Sequence, residues 1–177
     1  RAKVIDLDGA EVPDGTAGRL AVQGPTGCRY LNDARQAVYV ENGWNVTGDT
    51  FIRDADGYFW YQARSDDMII SAGYNISSTE VEEALLSDPA VLESAVVAAP
   101  DEERGAIVKA FVVLKDPASV GPRGSEAWNA QVAALQAHVK GVIAPYKYPR
   151  AIEFVDALPR TSTGKVQRRA LRGEGTG

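Results

Sequence analysis

Arg64-Ser65-Asp66-Asp67-Met68-Ile69-Ile70-Ser71-Ala72-Gly73-Tyr74-Asn75-Ile76 is the stretch across which the pattern of this chain changes. Upstream, short apolar runs alternate with turn residues: residues 3–7 before Asp8-Gly9, residues 18–23, a strand near Phe51, and residues 58–61 after the turn Asp54-Ala55-Asp56-Gly57. That spacing predicts a small, all-β, barrel-like piece over residues 1–65. Downstream, strand and helix signals follow one another. Residues 68–71 read as an apolar strand, with Gly73 in the turn of a strand-turn-strand unit. Ser77-Ser78-Thr79-Glu80 has the S-x-x-E spacing of a capping box, in which the Ser77 hydroxyl accepts from the Glu80 amide and starts a helix. Val81, Ala84 and Leu85 then give that helix a buried stripe at i, i+3, i+4.

Residues 93–99 and 106–114 read as two strands joined by a charged turn over 101–105. Beyond the Pro/Gly-rich residues 117–124, Trp128, Val132, Leu135 and Val139 recur at helical spacing, which predicts a core-facing helix over 125–140. Pro145 and Pro149 flank an extended segment, residues 151–155 read as a strand, and residues 166–171 as a short terminal helix. The fold expected is therefore α+β: a β-barrel-like N-terminal piece over 1–65, an α+β domain with small sheets packed by helices over 66–172, and a disordered tail over 173–177.

Composition bounds the function. A chain of 177 residues that is 45% hydrophobic can bury a core of ordinary size. One cysteine, Cys28, permits no internal disulfide, and one histidine, His138, cannot by itself complete a zinc site with it, so no metal centre is expected. No run reaches the ~18 apolar residues of a membrane span, and Arg1-Ala2-Lys3-Val4 begins no signal-peptide core, so a cytoplasmic protein with no membrane partner is expected. The net charge of -5 is uneven: residues 140–172 hold eight Lys or Arg against Glu153 and Asp156, a local +6 that leaves -11 elsewhere. A patch of that size suits a small anionic ligand. A nucleic acid would need an extended basic surface, and none is expected as a partner.

Four sets of residues carry chemistry. Lys165 ends Pro159-Arg160-Thr161-Ser162-Thr163-Gly164-Lys165, a hydroxyl-rich, glycine-hinged loop suited to bring a cation to a phosphate. It is not a nucleotide-binding P-loop, because the first glycine of that motif is absent and Val166 follows the lysine. Thr47-Gly48-Asp49 places a carboxylate at a junction between predicted strands, where it can accept both protons of a ribose cis-diol. Arg64 supplies a fixed cation at the end of the β piece, and Asp66 and Asp67 point to opposite sides of an extended chain, so they do not form an acid/base pair. Gly73 either relieves a positive φ or lets a thin ligand pass along the backbone.

The order T-G-D, R-x-D-D-(x)5-G, E-V-E, P-Y-K-x-P and P-R-T-x-x-G-K resembles the C-terminal end of the acyl-adenylate-forming, AMP-binding superfamily over about residues 1–172. Within it, Ser65 to Ile76 with Ser78 to Glu83 is most similar to benzoate- and 2-aminobenzoate-CoA ligases. The resemblance implies an enzyme with ATP, Mg²⁺ and CoA as cosubstrates, a carboxylic acid as its small-molecule substrate, and no tightly bound cofactor. It implies that Asp49, Arg64 and Lys165 bind the nucleotide and that Lys165 is catalytic in adenylation. Asp66 falls at the hinge about which the C-terminal domain rotates, and Gly73, Tyr74 and Asn75 at the CoA tunnel. Ala63 replaces the common glycine before the arginine, and Ala72 stands where some relatives place a lysine next to the glycine, which removes one candidate contact to a phosphate or the adenylate. Residues 1–65 then correspond to the last piece of a large N-terminal adenylation domain, and 66–172 to the whole mobile domain. The remainder of the large domain is missing, so this chain alone is expected to be inactive. Two other readings stay open: acyl transfer to a carrier-protein phosphopantetheine, and a non-catalytic interaction module using the basic C-terminal surface.

Overall fold

The computed structural model describes residues 1–24 and 39–173, with only the backbone of Asp66. Cys28 and the tail beyond Gly173 lie outside the described residues. Two compact units divide the chain, Arg1–Met68 and Ile69–Gly177.

In the first unit, β1 (Ala2–Ile5), β2 (Ala17–Val22), β3 (Val40–Glu41), β4 (Trp44–Arg53) and β5 (Phe59–Arg64) form one antiparallel sheet. β2 runs along one edge of β4, while β3 and β5 share the other. Alternation puts Ile5, Ala21 and Val46 on the buried face. The turn before β5 is set by Asp54, whose carboxylate accepts from the amides of Asp56 and Tyr58 and from the Trp60 indole. The indole bond first, and the backbone donors after it, hold the Asp54 carboxyl below the ordinary aspartate range. One strand escapes the sequence reading, because β3 has only two residues and shows no alternation to read.

A single 3-10 turn, Ser65–Asp67, leads into the second unit. There β6 (Met68–Ser71) and β7 (Tyr74–Ser77) make a hairpin, followed by α1 (Ser78–Leu86). Ser77 caps α1 by accepting from Glu80, as the capping-box spacing predicts. β8 (Val91–Asp101) and β9 (Gly105–Leu114) form a long antiparallel ribbon, and β10 (Ala151–Phe154) adds parallel to β9 after the crossover helix α2 (Glu126–Val142). The segment flanked by Pro145 and Pro149 is not fully extended: Pro145–Lys147 is a 3-10 turn, proline at its start favouring that geometry. The terminal helix, α3, is shorter than its apolar pattern suggests, Arg168–Leu171, because Val166 is held in a bridge to Arg160.

Both faces of the β8-β9-β10 sheet are covered, which explains why Ala95-Val96-Val97 and Phe111-Val112-Val113 are continuous apolar runs. Val96 and Val112 meet α1 and α2 through Val81, Leu85, Leu135 and Val139, while Ala95, Val97, Phe111 and Val113 meet Leu158, Val166 and Leu171 of the C-terminal segment. His138 of α2 lies with Nε2 2.7 Å from the Ser87 hydroxyl at the end of α1, a contact between helices. Each fully buried aliphatic side chain contributes about 1.5–3 kcal/mol, against about 0–1 for an exposed ion pair. The apolar core therefore holds the unit together, and the exposed ion pairs set where its edges point.

One ion pair is of another kind. Glu82, on the buried side of α1, accepts from the Val96 amide at 2.8 Å and from Arg168 of α3 at 2.7 and 2.9 Å. Its side chain is 11% exposed. In Glu82→Ala the charge left behind is that of Arg168, whose side chain is 27% exposed. The stability of the chain is expected to fall by about 1–3 kcal/mol in urea unfolding, and by distinctly less for Glu82→Met with Arg168→Leu.

Candidate functional site

Asp49 and Arg64 meet because of a bulge. Between Arg19 and Ala21 on β2 there is one residue, Leu20, and opposite it on β4, between Thr50 and Val46, there are three: Thr47, Gly48 and Asp49. The ladder bonds lost there are replaced locally, the Thr47 hydroxyl donating to the Leu20 carbonyl at 3.2 Å and accepting from the Asp49 amide at 3.3 Å. Gly48 takes φ +77°, which brings the chain out and back within one residue. Asp49 lies inside β4, then, and not in a junction between strands. Its direct neighbour in the ladder is Arg64 of β5, and Arg64 Nε sits 3.4 Å from Asp49 Oδ1. A hydrogen atom is all that Gly48 offers beside the Arg64 guanidinium; an added Cβ would lie 3.3 Å from Nη2. Half-exposed, the pair sets an acceptor beside a planar donor, the two functions a vicinal diol needs.

Gly73 sits in a two-residue turn between β6 and β7. Ala72 and Gly73 have φ of +48° and +82°, the pair of positive values that a type I′ hairpin requires. An alanine in this region costs about 1–2 kcal/mol, and the turn keeps it with help from the Ala72 amide, which donates to the Arg104 carbonyl at 3.0 Å. Tyr74 and Asn75 follow, both exposed. The Tyr74 ring lies 4.7 Å from that of Tyr146, and next to Tyr146 the Lys147 ammonium donates to both oxygens of Glu80 at 2.7 Å. The P-Y-K-x-P motif thus braces the hairpin that carries Gly73, a role that composition did not reveal.

Lys165 is exposed directly after the Thr161–Gly164 turn of a second hairpin. This loop is more ordered in its hydrogen bonding than its glycine and hydroxyl content suggests. Thr161 donates its amide to the Lys165 carbonyl at 2.8 Å, its hydroxyl accepts from the Lys165 amide at 3.1 Å, and the Gln167 amide closes on the Pro159 carbonyl at 2.8 Å. Among the described residues the Lys165 ammonium has no ion-pair partner.

The two hairpins of the second unit are anchored toward opposite ends of the β8-β9 ribbon. Ala72 bonds to Arg104 in the turn, where Asp101 pairs with Gly105, and the Lys165 hairpin reaches Glu93 near the other end, where Glu93 pairs with Val113. Eight residues of strand separate the two ends, about 25 Å at ~3.3 Å per residue. Asp66 occupies the 3-10 turn Ser65–Asp67 between β5 and β6. Glu82, Glu80, Tyr146 and Arg160 are supporting residues that stand in the quoted motifs but were given no role there. Glu82 carried a signal: on a helix it shares a face with Ser78 and Leu85, so a carboxylate was set among buried positions and required a partner.

Residues 80–165 match the family described as the AMP-binding enzyme C-terminal domain. The chain is 45% identical to the mitochondrial acyl-coenzyme A synthetase ACSM4 of Homo sapiens over 96% of its own length, but spans only 30% of that relative. Among solved structures, the o-succinylbenzoate CoA synthetase of Bacillus subtilis bound to its acyl-adenylate gives a TM-score of 0.79 at 33% identity, over 97% of this chain and 33% of that one. An anthranilate CoA ligase bound to anthranoyl-AMP gives 0.77 at 39% identity, over 98% and 33%. Residues 80–165 thus match the AMP-binding enzyme C-terminal domain, and in fold and motif order the chain is similar to the C-terminal third of adenylate-forming enzymes.

Gly48→Ala is expected to destabilise the first unit by about 1–2 kcal/mol through its positive φ. It should also push the Arg64 guanidinium away from Asp49, measurable as a lower unfolding midpoint and as altered chemical shifts of the Arg64 side chain.

Proposed function

We propose that the chain is the catalytic C-terminal portion of an ATP-dependent, AMP-forming acid-CoA ligase acting on an aromatic carboxylate, benzoate or 2-aminobenzoate. The observation that carries this reading is the placement of two hairpins toward opposite ends of one ribbon, each bearing residues that suit one half-reaction. The similarity to the anthranilate CoA ligase favours the aromatic acid.

In the first half-reaction a carboxylate oxygen bonds to the α-phosphorus of Mg²⁺-ATP as the bond to pyrophosphate breaks. Asp49 accepts from the ribose hydroxyls and Arg64 donates beside it. Lys165, an exposed ammonium on a braced hairpin, reaches the developing charge on the phosphoryl oxygens and stabilises it more in the transition state than in the ground state. In the second, the CoA sulfur bonds to the acyl carbon as AMP leaves. Gly73, with no side chain at the apex of its turn, lets the thin pantetheine arm pass, with Tyr74 and Asn75 alongside. A short turn at Asp66 is the hinge, and changes in a few dihedrals there exchange one hairpin for the other at the reacting centre.

The test is made in the full-length protein, with ATP, benzoate or 2-aminobenzoate, and CoA. Lys165→Ala is expected to slow pyrophosphate release by about 10²–10³ while leaving transfer from supplied acyl-adenylate to CoA nearly intact. Asp66→Pro should spare adenylation and block thioester formation, because proline fixes one of the hinge dihedrals. Equal losses in both half-reactions for both variants would contradict the division of labour. The isolated 177 residues are expected to release no pyrophosphate; turnover by them would overturn the fragment reading. Thioester formation on a carrier protein in place of CoA would move the assignment to the carrier-transfer alternative.

A further inference from the structure

Lys165 can act on a phosphate only if the hairpin that carries it is held in place, and two kinds of contact attach that hairpin to the rest of the unit. Below, Leu158, Val166 and Leu171 pack on Ala95, Val97, Phe111 and Val113 of the sheet. Above, a single side chain spans the gap. Arg160 Nη1 donates to the Gly164 carbonyl at 2.8 Å, and Nη2 to Glu93 Oε2 at 2.6 Å. Gly164 immediately precedes Lys165, so the first bond restrains the peptide unit from which the lysine projects. Glu93 belongs to β8, where the register shifts between Val91 and Glu93, so the second bond refers that peptide unit to the sheet. A guanidinium performs both tasks because its donors lie in one rigid plane.

We propose that Arg160 is the positioning residue for Lys165, with Glu93 as its anchor. The inference rests on the adenylation role given to Lys165 above. The pair contributes little to stability, since Arg160 and Glu93 are 45% and 39% exposed and water screens them. The apolar contacts of Leu158, Val166 and Leu171 remain when Arg160 is removed, so the hairpin stays docked while its tip gains freedom. A misplacement of about 1 Å at a reacting group is enough to cost about 10² in rate. The effect of Arg160 therefore falls on rate and not on folding.

The experiment compares Arg160→Ala, Arg160→Lys, Glu93→Gln and Lys165→Ala in the full-length protein, following pyrophosphate release and transfer from supplied acyl-adenylate to CoA. For Arg160→Ala, kcat for adenylation is expected to fall about 10- to 100-fold with the KM for ATP changed less than about threefold, the unfolding midpoint preserved and the second half-reaction unaffected. Arg160→Lys should recover part of the loss, since an ammonium can reach one partner but cannot fork. Glu93→Gln should lower the same kcat by a few-fold, and combined with Arg160→Ala should add nothing to it. If Lys165→Ala is impaired and Arg160→Ala is not, this inference alone fails. If Arg160→Ala raises the KM for ATP while Glu93→Gln is silent, Arg160 binds the nucleotide directly and positioning is refuted. A silent Lys165→Ala would refute the underlying role and this inference with it.

Discussion

Glu82 is the point through which the second unit is tied together. Its carboxylate takes the Val96 amide from the middle of β8 and the Arg168 guanidinium from α3, so helix, sheet and C-terminal segment meet on one buried charge. An apolar residue there would pack but would not specify which residue of the C-terminal segment docks, because hydrophobic burial is non-directional. A buried pair must be matched atom for atom, and that requirement sets α3, and the hairpin three residues before it, in one register against the sheet. The Lys165 hairpin is placed by this constraint together with the apolar packing of Leu158, Val166 and Leu171 and the Arg160–Glu93 pair.

From that register follows the geometry that makes the second unit interesting. Its long ribbon separates two small hairpins, one pinned at the β8-β9 turn through Ala72 and Arg104, the other near the opposite end through Arg160 and Glu93. Both hairpins are braced from outside their turns, one by the ring of Tyr146 against Tyr74, the other by the Arg160 guanidinium bonded to Gly164 and Glu93. A body of this shape can offer two different sites to a common centre by turning as a whole. The similarity to adenylate-forming enzymes gives that shape its proposed purpose.

Much of the architecture was legible because it rests on local rules. The Ser77 cap, the stripe of α1 and the two long strands each follow from period and capping within a dozen residues and are present. Of the face expected on α2, Leu135 and Val139 are buried, Trp128 is partly buried and Val132 is outside the core cluster. Reading failed where the cause was distant. Thr47-Gly48-Asp49 looks like a loop in isolation, and becomes a bulge in a strand because Leu20, far earlier in the chain, is its partner. The segment 166–171 has the composition of a helix, yet its first residues are claimed by a bridge to Arg160. Lys165 was expected on a glycine-hinged loop; the Thr161 hydroxyl and the Arg160 guanidinium make it a closed hairpin.

The sequence by itself singled out Asp49, Arg64, Gly73 and Lys165 as candidates, since their side chains or lack of one limit what each can do and they stand in motifs of one recognisable order. It also determined the α+β character, because hydrophobic period is a local property. Only the tertiary structure decided how those residues are held. The opposition of Asp49 and Arg64 depends on strand register, the separation of the two hairpins on the length of a ribbon between them, and the placement of Lys165 on a carboxylate at position 82 and a guanidinium at 160. Contacts between residues far apart in the chain depend on how the core packs, and no local pattern encodes that.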